Sequence, residues 1–189
     1  MNRDGERTVL IVDDEEDLAE LYAHYLDDDY ETRVALTSGE ALVELTPAVD
    51  LMLLDRRLPG MSGDELLEHT EDWEVDCQVI LVTAVDLDTD IIEMPFDGYL
   101  TKPISSEELR TAVEQAFLVD QYEDLLLEYY TLRKKYAALD AEIAADDEAD
   151  AEGFERLESR LETVATDIES TLDRFPDHDL SEALRDLHR

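Results

Sequence analysis

DLMLLD, residues 50–55, sets four apolar side chains in a row between two aspartates. Four consecutive apolar residues cannot alternate between core and solvent. The segment therefore reads as a strand buried on both faces, which belongs to a parallel sheet covered by helices. The same pattern lies on either side of it. TVLIVD (8–13) and QVILVTA (78–84) are apolar runs, the first ending in an acid and the second in Thr83-Ala84. ETRVAL (31–36) and DGYLTKP (97–103) read as weaker strands. Between them, Asp14 to Asp27 carries Leu18, Leu21, Tyr22, Tyr25 and Leu26 on one helical face. SGEALVEL (38–45) opens with a helix cap, and residues 63–70 suit a third helix. Strand and helix alternate five times, so the expected fold is α/β: a five-stranded parallel doubly wound sheet of flavodoxin-like order. Ligands of such sheets sit at the carboxyl ends of the strands.

Those ends carry the chemistry. Asp13 and Asp14 end the first strand, Asp55 the third, Thr83 the fourth and Lys102 the fifth. Taken alone, Asp13 and Asp14 also read as caps of the first helix, and Thr83 as an ordinary strand-end threonine. Three carboxylates at one sheet edge repel one another, so the cluster either raises a pKa or binds a hard cation. Oxygen ligands with open positions suit Mg2+, which joins carboxylates to a phosphoryl group. A carboxylate can itself accept that group as an aspartyl phosphate. Transfer then needs a cation and a hydrogen-bond donor around the phosphoryl oxygens, which Lys102 and Thr83 supply.

With 52 Asp and Glu against 15 Lys and Arg, the formal net charge is -37. The acids are spread along the chain among apolar residues, which fits a folded protein adapted to high salt better than a disordered acidic tail. The lysines are Lys102, Lys134 and Lys135, and the basic cluster Arg133-Lys134-Lys135 is small for a phosphate-binding surface. Cys77 is a lone cysteine, so neither an intrachain disulfide nor a cysteine metal site is expected. The four histidines, His24, His69, His178 and His188, show no metal spacing. The N-terminus lacks the apolar stretch of a signal peptide, and no run approaches a membrane span. A cytoplasmic protein is expected.

VDDEED after the first strand, LLDRRLPGMSG after the third, VTA at the fourth and YLTKP at the fifth resemble, in order and spacing, the receiver domain of response regulators. The resemblance covers about the first 118 residues. It implies a two-component signalling protein and not an enzyme, with Asp55 as phosphoacceptor and a histidine kinase as donor. By the same resemblance Asp14 ligates Mg2+ directly, Asp13 directly or through water, and Arg57 through its backbone carbonyl. Lys102 pairs with the phosphoryl oxygens, Thr83 hydrogen-bonds one of them, and Tyr99 is the aromatic that moves inward after Thr83. Lys102-Pro103 is expected as a cis peptide bond. One departure stands out: 18 residues separate Thr83 from Lys102. That is about three fewer than such domains have, so the fourth helix shrinks to about Thr89–Glu93 and a dimer through it is in doubt. A phosphatase of the haloacid dehalogenase type also uses a strand-end Asp with Mg2+, but Arg57 stands where its second Asp belongs.

From Ser105 the pattern changes, and residues 119–189 read as a second, helical domain. A helix beginning at Glu107, continuous with the last receiver helix, carries the seam Leu118, Tyr122, Leu125, Tyr129, Leu132, Tyr136, Leu139 and Ile143. An acidic turn (145–153) follows. A second seam then runs through Phe154, Leu157, Leu161, Val164 and Ile168, less cleanly through Leu172 and Phe175, to a stop at Pro176. Asp179 would cap a last short helix with Leu180, Leu184 and Leu187. The extension resembles the HalX domain found behind receivers in halophilic archaea. It folds back as a helical hairpin, pairs with a second chain as a homodimer, or docks an output protein. The sequence leaves these open. The heptad-spaced Tyr122, Tyr129 and Tyr136 suit a bundle better than a tight two-stranded coil. No basic recognition helix appears, which weighs against direct nucleic-acid binding by a transcription regulator.

Overall fold

The computed structural model describes residues 7–70, 77–84, 96–143 and 151–175. Five strands, β1 (Thr8–Val12), β2 (Glu31–Ala35), β3 (Leu51–Asp55), β4 (Gln78–Thr83) and β5 (Gly98–Thr101), form one sheet in the order β2-β1-β3-β4-β5. Every neighbouring pair is parallel. All five residues of β1 and of β3 are buried, whereas β2 and β5 at the edges are largely open to solvent. The apolar runs thus became the centre of the sheet. At the opposite end from the strand-end acids, Asp50 Oδ2 accepts the Thr8 N–H (2.8 Å) and Asp97 Oδ2 accepts the Val79 N–H (2.7 Å). These side chains fix the register where the ladders begin.

Helices α1 (Glu16–Leu26), α2 (Ser38–Glu44) and α3 (Gly63–Thr70) fill the crossovers. The strand order reverses between β1 and β3, so right-handed crossovers put α1 on one face and α2 and α3 on the other. The packing follows this division. Leu10 and Val12 of β1, Met52 and Leu54 of β3, and Val79 and Leu81 of β4 share a core with Ala41, Leu66 and Leu67 of α2 and α3. Val9, Ile11, Leu51 and Leu53 alternate with them and turn to the α1 face. Each such side chain contributes about 1.5–3 kcal/mol when fully buried.

Some expectations need correction. Leu21, expected on the inner face of α1, is 40% exposed. Ala19, Tyr22 and Leu26 are the buried residues there, a narrower stripe than the leucine count implied. Thr37, not Ser38, caps α2 by accepting the Glu40 N–H, and Ser38 is buried and donates its hydroxyl to the Met61 carbonyl. The expected helices at Thr89–Glu93 and after Asp179 lie outside the described residues.

The chain divides into two compact units, Met1–Ala116 and Phe117–Arg189. The division falls within α4 (Ser106–Ile143), whose 38 residues run about 57 Å at 1.5 Å each. In the second unit α5 (Ala151–Leu172) returns antiparallel to the distal part of α4. Arg174 pairs with Gln121, Arg160 with Glu128, and Phe154 packs on Tyr136 at 4.7 Å between ring centroids. Leu118, Tyr122, Val164, Ile168, Leu172 and Phe175 form its buried centre. Leu172 and Phe175, the less regular end of the expected seam, are therefore among its best-packed residues, while Leu139 is 38% exposed. Gly153, expected in a turn, lies inside the first turn of α5 (Ala151–Leu172). Ile168→Ala should cost about 2–5 kcal/mol. Hydrogen exchange should rise across α5 and the Leu118–Leu132 stretch and stay unchanged in β1, β3 and β4.

Candidate functional site

The sheet carries its pairing one residue past the strands, and this places the site. Asp13 N–H donates to the Ala35 carbonyl (3.2 Å), Arg56 N–H to Val82 (3.1 Å) and Lys102 N–H to Thr83 (2.7 Å). Alternation along β1 and β3 turns Asp13 and Asp55 to the same face as Val9, Ile11, Leu51 and Leu53. The Lys102 ammonium then bridges them, 2.7 Å from Asp13 Oδ2 and 2.6 Å from Asp55 Oδ2. Each carboxylate uses its other oxygen on the main chain: Asp13 Oδ1 accepts the Glu15 N–H (3.0 Å) and Asp55 Oδ1 the Arg57 N–H (2.8 Å). Asp14 is exposed beside them. One carboxylate oxygen from each of Asp13, Asp14 and Asp55 lies within 4.8 Å of the other two. The N-cap of α1 is Glu15, without a side-chain cap bond, so neither Asp13 nor Asp14 serves as that cap.

Asp13 and Asp55 are 2% and 7% exposed, and buried carboxylates this close require a counter-charge. Lys102 supplies it. Burial works to lower the pKa of its ammonium, but the hydrogen bonds it donates to Asp13 and Asp55 and their negative charge outweigh burial and raise it. Three carboxylates and one ammonium still leave two negative charges, on an oxygen-only donor set with an exposed member. That combination fits a hard divalent cation of the Mg2+ class, with Asp13, Asp14 and Asp55 as the residues to hold it.

The other expected residues are placed as follows. Thr83 is fully buried at the end of β4. Tyr99, on edge strand β5, is 56% exposed and points outward. Arg57 is exposed and meets the site through its main chain. The Lys102-Pro103 peptide bond is cis. Gly63 opens α3 against the backbone of β3: a Cβ there would lie 2.6 Å from the Asp55 carbonyl oxygen and 2.9 Å from Arg56 Cα. Its N–H donates to the Arg56 carbonyl, and the Arg56 guanidinium clasps both carboxylate oxygens of Asp64 one residue on. The glycine's place after LLDRRLPGMS was the available signal. Gly60 adopts φ +90°, a left-handed backbone conformation that favours glycine.

Two outcomes follow. Gly63→Ala must push α3 away from the Asp55–Arg56 backbone; a loss of about 1–3 kcal/mol is expected, read as a lower denaturant midpoint at unchanged slope. For Lys102 the folded pKa is raised, so its contribution to stability is full below the ordinary value of 10.5 and disappears as pH rises through the higher folded value. The stability lead of the natural chain over Lys102→Met should therefore hold constant up to 10.5 and shrink above it, measured by chemical unfolding across alkaline pH.

Comparison with known proteins agrees with this geometry. The family model described as the response regulator receiver domain matches residues 9–114, and that of the HalX domain matches residues 118–184. A protein of Haloferax volcanii named "Putative transcriptional regulator" is 40% identical over 99% of this chain, and the match spans 33% of that protein. The chain spans between 30% and 50% of the length of the curated relatives it matches. Among solved structures, the signal receiver domain of a Vibrio parahaemolyticus protein is 28% identical with a TM-score of 0.59, covering 64% of this chain and 97% of that one. A CheY-like receiver domain of Methanospirillum hungatei is 28% identical with a TM-score of 0.54, covering 58% and 92%. No described helix is long and apolar enough to cross a membrane. Sheet order, strand-end acids and family matches converge on one conclusion: the chain belongs to the response regulator receiver family and carries a HalX domain behind the receiver.

Proposed function

We propose that Asp55 accepts a phosphoryl group from a histidine kinase, and that the receiver, about residues 1–118, passes the change to the helical domain behind it. The observation that carries this reading is the Lys102 ammonium held by Asp13 and Asp55 together, with Asp14 alongside. A carboxylate oxygen of Asp55 attacks phosphorus, the bond from phosphorus to the donor's imidazole nitrogen breaks, and an acyl phosphate results. Main-chain hydrogen bonding from Arg57 fixes the carboxylate during attack. Lys102 moves from the carboxylates to the phosphoryl oxygens, and Thr83 donates its hydroxyl to another. Mg2+, when bound by Asp13, Asp14, Asp55 and the Arg57 carbonyl, supplies the positive charge that the transferring group needs. Drawing Thr83 toward the phosphoryl group opens space behind it, and Tyr99, now outward on β5, moves in. The result is a switch in a cytoplasmic signalling protein, with chemistry limited to its own phosphorylation and slow dephosphorylation.

The helical domain is the output side. It leaves Leu127 and Tyr130 exposed at 69% and 49%, large side chains available to an output protein or to a second copy of the chain. The name of the Haloferax relative points to transcription as the process controlled.

Incubation with phosphoramidate and Mg2+ in high salt should raise the intact mass by one phosphoryl group. Asp55→Asn should abolish the gain, and Asp14→Asn should slow it at least tenfold by weakening the cation site. A mass gain that survives Asp55→Asn would remove the assignment. Light scattering before and after phosphorylation reads whether the chain changes its association.

A further inference from the structure

Tyr22 is 1% exposed, and its hydroxyl is sealed from solvent without a hydrogen-bond partner. Buried hydroxyls in folded proteins nearly always have one. The fold says where this hydroxyl goes. Helix α1 lies against β1 and β2 on the face to which Asp13 and Asp55 turn. Tyr22 stands six residues after Glu16, about 9 Å down the helix, and helical side chains lean back toward the N-terminus. That N-terminus directly follows Asp13, Asp14 and Glu15. The phenol therefore leans up toward the acidic site from beneath. Its electrostatic surroundings agree: burial pushes its pKa up to about 12, and the charges acting on it are Lys102 first, then Asp13, Asp55 and Glu15. It remains a neutral phenol, able to accept as well as donate.

Lys102 has donor capacity to spare. Its ammonium carries three N–H donors. Asp13 and Asp55 take two of them. The next carboxylate oxygen, Glu15 Oε1, is 3.9 Å away, beyond hydrogen-bond distance. Tyr22 is thus a buried hydroxyl without a partner, and the charges around it include Lys102, a half-buried ammonium with one N–H beyond carboxylate reach.

We infer that Tyr22 is a positioning residue for Lys102: its hydroxyl accepts the spare ammonium N–H once phosphorylation of Asp55 removes that carboxylate as a partner. The inference rests on the phosphoryl-accepting reading of Asp55. Esterified by phosphorus, the Asp55 oxygen loses its charge, and Lys102 turns to the phosphoryl oxygens. The phenol then anchors the ammonium from below and fixes its aim. In the unphosphorylated chain the hydroxyl does nothing, which is why it has no partner there.

Tyr22→Phe keeps the ring and removes only the oxygen, so the unphosphorylated variant should melt at the same temperature as the natural chain or higher. Phosphorylation by phosphoramidate with Mg2+ should slow about tenfold, the worth of one hydrogen bond to a charged group. The gain in melting temperature with Mg2+ and beryllofluoride, a phosphoryl mimic, should shrink as well. In a Lys102→Met background, removing the hydroxyl should change neither quantity, because the two residues act as a pair. A side chain that merely packs would raise the melting temperature and leave both other readouts alone. Equal rates and equal beryllofluoride gains in Tyr22→Phe, a lower melting temperature of the unphosphorylated variant, or an undiminished effect without Lys102 would each overturn the inference. If the natural chain phosphorylates normally while Tyr22→Phe matches it, only Tyr22 is misassigned. If the natural chain takes up no phosphoryl group, the reading of Asp55 fails and this inference with it.

Discussion

One ammonium makes this arrangement of carboxylates tolerable. The parallel order delivers the ends of β1 and β3 side by side, and both end in aspartate. Alternation turns the two carboxylates to the same face, where burial deprives them of water. Without Lys102, arriving from the end of β5 at the sheet edge, the repulsion would either neutralise an acid or part the strands. The counter-charge is incomplete, and Asp14 keeps the site two charges negative. Such a residual negative charge suits a hard divalent cation.

Much of this was legible in the sequence for a physical reason. A strand buried on both faces has no freedom in its apolar pattern, so β1, β3 and β4 announce themselves as unbroken runs. The chemistry of a doubly wound sheet is confined to strand ends, so Asp13, Asp55 and Lys102 could be named before any contact was seen. Contacts between segments distant in sequence were not legible. Gly63 looks like any turn glycine until α3 is seen resting on the Asp55 carbonyl. Tyr22 looks like any apolar-face aromatic until its hydroxyl is found buried without a partner. Leu21 shows the converse. Helical spacing placed it inward, but the strip that α1 buries against a flat sheet is narrower than the leucines on that helix, and Leu21 falls outside it.

The helical domain inverts this relation between pattern and packing. The seam of α4 is regular over eight positions, yet burial fades along it, from Leu118 and Tyr122 to an exposed Leu139. Regular spacing sets which face can pack, and the partner decides how much of it does. Here Val164, Ile168 and Leu172 of α5, with Phe175 just beyond its end, supply the buried layer packed with Leu118 and Tyr122.

The acids of the chain fall into solvated and buried groups. Most of the described acids need no explanation beyond solvation, because they are exposed where water and salt screen them. Asp13 and Asp55 cannot be treated that way. They are buried, and their partner is one of three lysines in the chain. In a protein that uses lysine so sparingly, a lysine sequestered between two carboxylates does little for solubility and adds desolvation cost. Its position is explained if the ammonium serves a phosphoryl group under the proposed function and until then holds the two carboxylates together. The same economy extends to Tyr22. A buried hydroxyl without a partner weakens the resting state, and phenylalanine would fill the same space, so the oxygen has a purpose only in a state where Lys102 has exchanged its partners.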